Sequence, residues 1–343
     1  MSDPADKNPY GGSLGGDLPE HYTYNPETLN KKRSPFWEKV DIHNRILYII
    51  FLVLVWYILI CGTLEEILMG NFSPYPYILD GVSDEATRNA LSFIMEIYLT
   101  TVVSFIVIFL YTGISKRNRF IFKSFLPGHA RNRISKLTNG LLVGFIMNFG
   151  CILCALLNGD IKLFYNFTLN QIPLFLFALV CVFIQSSSEE LWCRGFMYER
   201  INVRYPLWVA ILINGIFFGA LHTMNPGVSA LPIIDIIICG ISFSLAKWYT
   251  GSIWFPMGIH TAWNFTQNFL FGLPNSGLVS EASVFGLDAA SATDSVVYNV
   301  AFGVEGAYPA VAADAILGIV CLLLAAKKGR LGELTQSIQS QSR

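Results

Sequence analysis

The stretch Ser186-Ser187-Ser188-Glu189-Glu190-Leu191-Trp192-Cys193-Arg194 puts two adjacent carboxylates and an arginine at the end of an apolar run that begins at Ile172. Ionisable groups at bilayer depth cost roughly 2.5 kcal/mol each or more, and they face a protein interior or a water-filled cavity. Three of them so close together point to chemistry. Two histidines follow in equally apolar surroundings, in Phe218-Gly219-Ala220-Leu221-His222 and His260-Thr261-Ala262-Trp263-Asn264. On a helix, Glu190 and Arg194 stand i, i+4 with the acid first, the better orientation for an ion pair. That pairing neutralises both and leaves Glu189 on the adjacent face without a local partner. His260 and Asn264 are also i, i+4 and project to one side of their helix.

These residue types suffice for hydrolysis of an amide. A buried carboxylate beside an imidazole can take a proton from water. A second imidazole and an amide NH2 can donate hydrogen bonds to the oxyanion of a tetrahedral intermediate. Glu189, His222 and His260 are also the ligand types of a zinc ion that activates water. The chain lacks H-E-x-x-H, so such ligands would come from three helices. Both routes fit the sequence.

The elements that must position these groups are membrane helices. Of the 343 residues 53% are hydrophobic and 14% charged, against about a quarter charged in soluble domains; the expectation is an all-α, polytopic transmembrane bundle. A net charge of −1, with no basic patch interleaved with aromatics, leaves nucleic acid out as a partner. A span needs about 20 apolar residues, and eight runs meet or approach that: 45–62, 90–114, 134–157, 172–198, 206–222, 228–248, 252–271 and 308–326. Lys and Arg mark cytoplasmic connections. They gather before the first run (Lys31, Lys32, Arg33, Lys39, Arg45), between the second and third, and after the fourth, sixth and eighth, while the other connections carry Glu65, Glu66, Asp80, Asp84, Glu85, Asp160, Glu281, Asp288 and Asp294. Eight spans with both termini cytoplasmic satisfy the count and the charge asymmetry together. At 1.5 Å per residue, Glu189 and His222 then lie about 22 and 24 Å in from Arg204 and Pro206, and His260 and Asn264 about 12 and 18 Å in from Ser252. With tilts of about 20° the four can meet.

The expected organisation is a flexible tail over 1–33, a basic and aromatic interfacial segment with the first three spans over 34–171, a catalytic membrane core over 172–271, an extracytoplasmic loop over 272–307, and a last span with a short basic tail over 308–343. No cleavable leader is expected, since the first long apolar run starts near Ile46. The connection from Lys116 to Lys136 mixes phenylalanines with basic residues and suits the headgroup layer. Cys151 and Cys154 lie within an apolar run and are expected to pack rather than to bind metal. Asn148 and Asn214 suit interhelical hydrogen bonds. Asp235 and Asp314 could line a cavity or bond between helices. His21, His43 and His129 lie in solvated settings.

Taken in order, Glu189-Glu190-x-x-x-Arg194, Phe218-x-x-x-His222 and His260-x-x-x-Asn264 resemble the three motifs of the CPBP family of intramembrane proteases, also called Abi, which includes CAAX prenyl endopeptidases. The lead-in Thr250-Gly251-Ser252-Ile253-Trp254-x-Pro256 is similar too. The resemblance covers about 172–271. It implies an all-helical membrane endopeptidase acting on a peptide or membrane-tethered protein, with a cavity open to the cytoplasm. Glu189 and His222 would activate water, His260 and Asn264 would stabilise the oxyanion, and Glu190 and Arg194 would support the site. The family has been described as zinc-dependent and as using a glutamate-activated water, so the metal stays open. The competing reading is a non-enzymatic immunity or scaffold protein that binds a peptide partner. A proton-coupled transporter ranks lower, since no internal repeat is apparent.

Overall fold

The computed structural model describes residues 45–71 and 79–338, without the side chains of 68–71. The expected tail 1–33, the segment Lys31–Lys39, His21 and His43 lie outside the described residues. Helices form at all eight apolar runs. Six are long and apolar enough to cross a membrane: α1 (Ile46–Ile67), α2 (Glu85–Ile114), α4 (Ile134–Asn158), α5 (Leu169–Arg204), α7 (Ala230–Thr250) and α9 (Tyr308–Lys327). The chain is a multi-pass integral membrane protein. The fifth and seventh runs give shorter helices, α6 (Leu207–Leu221) and α8 (Trp254–Phe265), the latter continued by Thr266–Leu270. The connection after α2 contains the short helix α3 (Arg119–Phe125), which buries Ile121 and Phe125.

Helix boundaries follow local chemistry. Asp84 caps α2 by accepting from the Thr87 amide at 2.8 Å, so this helix starts five residues before the apolar run does. The α5 helix runs through Gly195 without a break: its pairing widens to π-helical turns over Leu191–Met197 and returns to α over Tyr198–Arg204. Three further π-helical stretches, Leu54–Cys61, Ile94–Leu99 and Thr266–Leu270, occur in α1, α2 and the end of α8. Such widened turns are frequent at functional sites, and all four line or adjoin the cavity described below.

Two glycine seams fix the helices that carry the histidines. A Cβ on Gly140 or Gly144 of α4 would stand 2.2 Å from the carbonyl oxygen of Phe255 or Ile259, and one on Gly258 would stand 2.4 Å from that of Leu137. Small residues four apart let membrane helices touch backbone to backbone, where dispersion replaces the missing hydrophobic drive. This seam presses α8, and with it His260, against α4. The second seam joins α6 to α7, where a Cβ on Gly240 would lie 2.8 Å from the Cα of Gly215. It sets the position of His222 at the end of α6.

The loop after α8 is ordered against the bundle. Its strand β2 (Phe285–Leu287) pairs antiparallel with β1 (Leu163–Tyr165), with Phe164 opposite Gly286. Buried amides tie it down: Gln267 donates to the Pro274 carbonyl at 2.5 Å, and Asn268 to those of Leu273 and Leu278 at 2.9 Å. Asn148 of α4 donates to Gln267 at 2.7 Å, and Asn214 to the Cys193 carbonyl at 2.5 Å, so both asparagines bond between helices as expected. Cys151 is buried and Cys154 exposed on α4, and both thiols are free.

Candidate active site

Glu189, His222, His260 and Asn264, placed by α5, α6 and α8, line one cavity of about 400 Å3. Glu190 and Arg194 lie behind it, fully buried and joined at 2.9 Å. The expected ion pair is therefore present. Its guanidinium also rests 4.0 Å over the Phe218 ring, a cation–π contact that suits a desolvated arginine. The same Glu190 oxygen stands 3.1 Å from His260 Nδ1. A carboxylate facing Nδ1 makes that nitrogen the donor and fixes the ring, with Nε2 turned to the cavity.

Glu189 differs from the sequence expectation in one respect. It has a local partner, because Gln185 one turn earlier donates to its Oε1 at 2.6 Å. The other oxygen, Oε2, is buried without a hydrogen-bond partner and stands 3.9 Å from His260 Nε2. Gln185 also accepts from Asn264 Nδ2 at 3.2 Å, so one amide spaces the carboxylate from the asparagine. The sequence reading passed over Gln185 because an amide at the end of an apolar run carries no charge to mark it. His222 caps α6, with Nδ1 2.8 Å from the Phe218 carbonyl. A carbonyl can only accept, so Nδ1 carries the proton and the neutral ring presents Nε2 as acceptor. Among the described residues no hydrogen bond joins His222 to Glu189; Phe218 packs against both imidazoles, at 4.8 Å from His222 and 6.1 Å from His260 between centroids.

The rest of the wall comes from elements outside the motifs. Glu65 on α1, Tyr98 on α2, Asp235 on α7, Asp314 on α9, and Asn275, Ser276 and Glu305 from the loop all line the cavity. Glu305 accepts from Trp263 Nε1 at 2.7 Å and from the amide and hydroxyl of Ser276 at 2.7 and 3.0 Å. Burial raises the pKa of this carboxyl, against the opposing pull of those hydrogen bonds and of nearby His222. Each lining residue on a span lies near its middle or in the half nearer the acidic connections. The non-helical ones, Asn225, Asn275, Ser276 and Leu278, come from connections on that same face. On the side of the basic connections α5 is packed into the protein: every residue from Glu190 to Val203 is buried.

A metal needs donors that converge. Among the described residues no three His, Cys, Asp or Glu side chains form a group that could hold a metal ion. As arranged, Glu189, His222 and His260 do not close around one.

Residues 170–266 match the family model described as type II CAAX prenyl endopeptidase Rce1-like. The chain is also similar to the uncharacterized protein YyaK of Bacillus subtilis (strain 168), 26% identical over 182 residues, which make up 50% of this chain and span only 60% of that relative. No solved structure matches the chain. The three motifs and the family model meet on the same stretch, so the similarity to CAAX prenyl protease-like endopeptidases is carried by residues 170–266.

Proposed function

We propose that the chain is an intramembrane endopeptidase that hydrolyses a peptide bond in a membrane-associated protein or peptide. The observation that carries this reading is the bare Glu189 Oε2 in the cavity, 3.9 Å from a histidine held from behind by Glu190. Glu189, assisted by His222 Nε2, takes a proton from water, and the hydroxide adds to the substrate carbonyl carbon. The oxyanion that forms is met by Asn264 Nδ2 and His260 Nε2. His260 donates from Nε2 only when its ring carries both protons, and the carboxylates of Glu190 and Glu189 on its two sides are the charge partners for that form. Glu189 then returns its proton to the amide nitrogen, the C–N bond breaks to a carboxylic acid and an amine, and the acid's proton passes to the amine, so a carboxylate and an ammonium leave. Gln185, Glu190 and Arg194 act as positioning residues.

Eight crossings with cytoplasmic termini remain the topology we propose, with α6 and α8 as short spans. Under it the cavity lies in the middle and outer part of the membrane and is walled by the extracytoplasmic loop. The substrate then arrives from the outer side, opposite to the cytoplasmic opening that the family resemblance implies.

The test is cleavage of a membrane-tethered peptide by purified protein in liposomes. Turnover is expected in the wild type and is lost in Glu189→Ala and His222→Ala while both variants stay folded. Turnover retained in both variants sinks the assignment. Metal content measured beside activity after chelation separates the routes: activity that persists in metal-free protein supports water activation by Glu189 alone, and loss restored by zinc supports a metal at Glu189, His222 and His260.

A further inference from the structure

Among the described residues the cavity wall carries five carboxyl groups, Glu65, Glu189, Asp235, Glu305 and Asp314, and neither a lysine nor an arginine. Two of the five have assignments already. Glu189 serves the chemistry, and Glu305 is saturated by Trp263 and Ser276. Asp235 and Asp314 are different. They sit on neighbouring helices α7 and α9, are only 2% and 3% exposed, and lie within electrostatic reach of each other. Each keeps an Oδ1 that is buried and without a hydrogen-bond partner. An interhelical hydrogen bond that satisfied both groups would explain them as packing; the orphaned oxygens leave that explanation incomplete.

Among the described residues no ion pair joins a lysine or arginine to Asp235 or Asp314. Arg194, the buried cation whose charge reaches Asp314, is paired with Glu190 and rests over the Phe218 ring. The groups that bear on the two aspartates are each other, Glu305, the Cys239 thiol, which hydrogen-bonds Asp314, and Arg194 through its charge. A metal ion is a poor fit, since no three donors converge among the described residues. An organic cation needs no such coordination shell. The apolar wall beside the pair, Ile236, Cys239 and Phe243, suits the hydrocarbon stem of a long basic side chain whose charged head reaches the carboxylates.

We propose that Asp235 and Asp314 form a cation-binding subsite, which takes the ammonium or guanidinium group of a lysine or arginine in the substrate. The inference rests on the endopeptidase reading and gives it a substrate class: peptides with a basic residue near the scissile bond. The acidic wall works against the opposite class, because a substrate that placed a free carboxylate beside Asp235 and Asp314 would face two further carboxyl groups.

The experiment uses the full chain in liposomes and tethered peptides that differ at one position, scanned along the sequence, as lysine, norleucine or glutamate. At one position the wild type should favour lysine over norleucine by about tenfold or more in kcat/KM, through KM, with glutamate the poorest. In Asp235→Asn/Asp314→Asn that ratio should fall to near one. The ratio is taken within one preparation, so a partial loss of folded protein cancels. Equal cleavage of the three peptides by the wild type overturns the subsite, as does a lysine preference that survives the double substitution. Cleavage of none of them sinks the endopeptidase reading and the inference together.

Discussion

The neighbouring carboxylates Glu189 and Glu190 should answer the same conservative substitution in opposite ways. Glu190 shares one oxygen between Arg194 at 2.9 Å and His260 at 3.1 Å, in a fully buried setting. Arg194 Nε and Nη2 have no other hydrogen-bond partner. Glu190→Gln keeps the shape and removes the only carboxylate paired with that guanidinium, which strands a charge in the interior. Removing one partner of a buried pair costs about 3–5 kcal/mol. Glu189→Gln strands nothing: its Oε2 is already unpartnered, its side chain is 14% exposed, and Gln185 can still donate to the amide oxygen. Its stability should stay within about 0.5 kcal/mol of wild type, while peptide cleavage falls by roughly two to four orders of magnitude with the base gone. Denaturation titrations in SDS-containing micelles, run beside the cleavage assay, separate the two signatures. A third variant, Glu190→Gln/Arg194→Met, removes both charges; it should recover much of the stability but not the activity, because His260 Nδ1 still lacks its charged partner. A loss below about 1 kcal/mol for Glu190→Gln, or a larger loss for Glu189→Gln, would refute the division of labour between them.

The topology predicts that a cysteine replacing Thr293, on the exposed part of the loop, reacts with a membrane-impermeant thiol reagent in intact cells, whereas one replacing Lys116 reacts only after permeabilisation, both in a cysteine-free background; the reverse pattern would turn the molecule over. The α4–α8 seam predicts that Gly144→Leu, which drives a side chain into the Ile259 carbonyl 2.2 Å from the new Cβ, costs about 1–3 kcal/mol and lowers kcat by displacing the adjacent His260, while Gly150→Leu, whose Cβ meets nothing within 4 Å, changes neither.

The sequence by itself determined the material of this protein. Composition and apolar run length forced membrane helices, because an exposed peptide group in hydrocarbon has no other partner. Helical periodicity alone paired Glu190 with Arg194, and the motif residues Glu189, His222, His260 and Asn264 stood out because polar groups in such runs are costly. Those are local signals. Gln185 was not legible, since an amide at a helix end looks like ordinary punctuation until its two neighbours are seen. Nor was the roof of the cavity: Glu305 lies 116 residues after Glu189 in a loop without a motif, and it reaches the site only because buried amides and the β1–β2 pairing fold that loop inward. The tertiary structure also put Asp235 and Asp314 on the cavity wall with an unpartnered oxygen each, because whether a buried carboxyl is satisfied depends on which atoms arrive from other helices. The glycine seam that brings α8 against α4, where an added Cβ would stand 2.2 Å from a carbonyl oxygen, is of the same kind: close packing belongs to pairs of helices and cannot be read from either one.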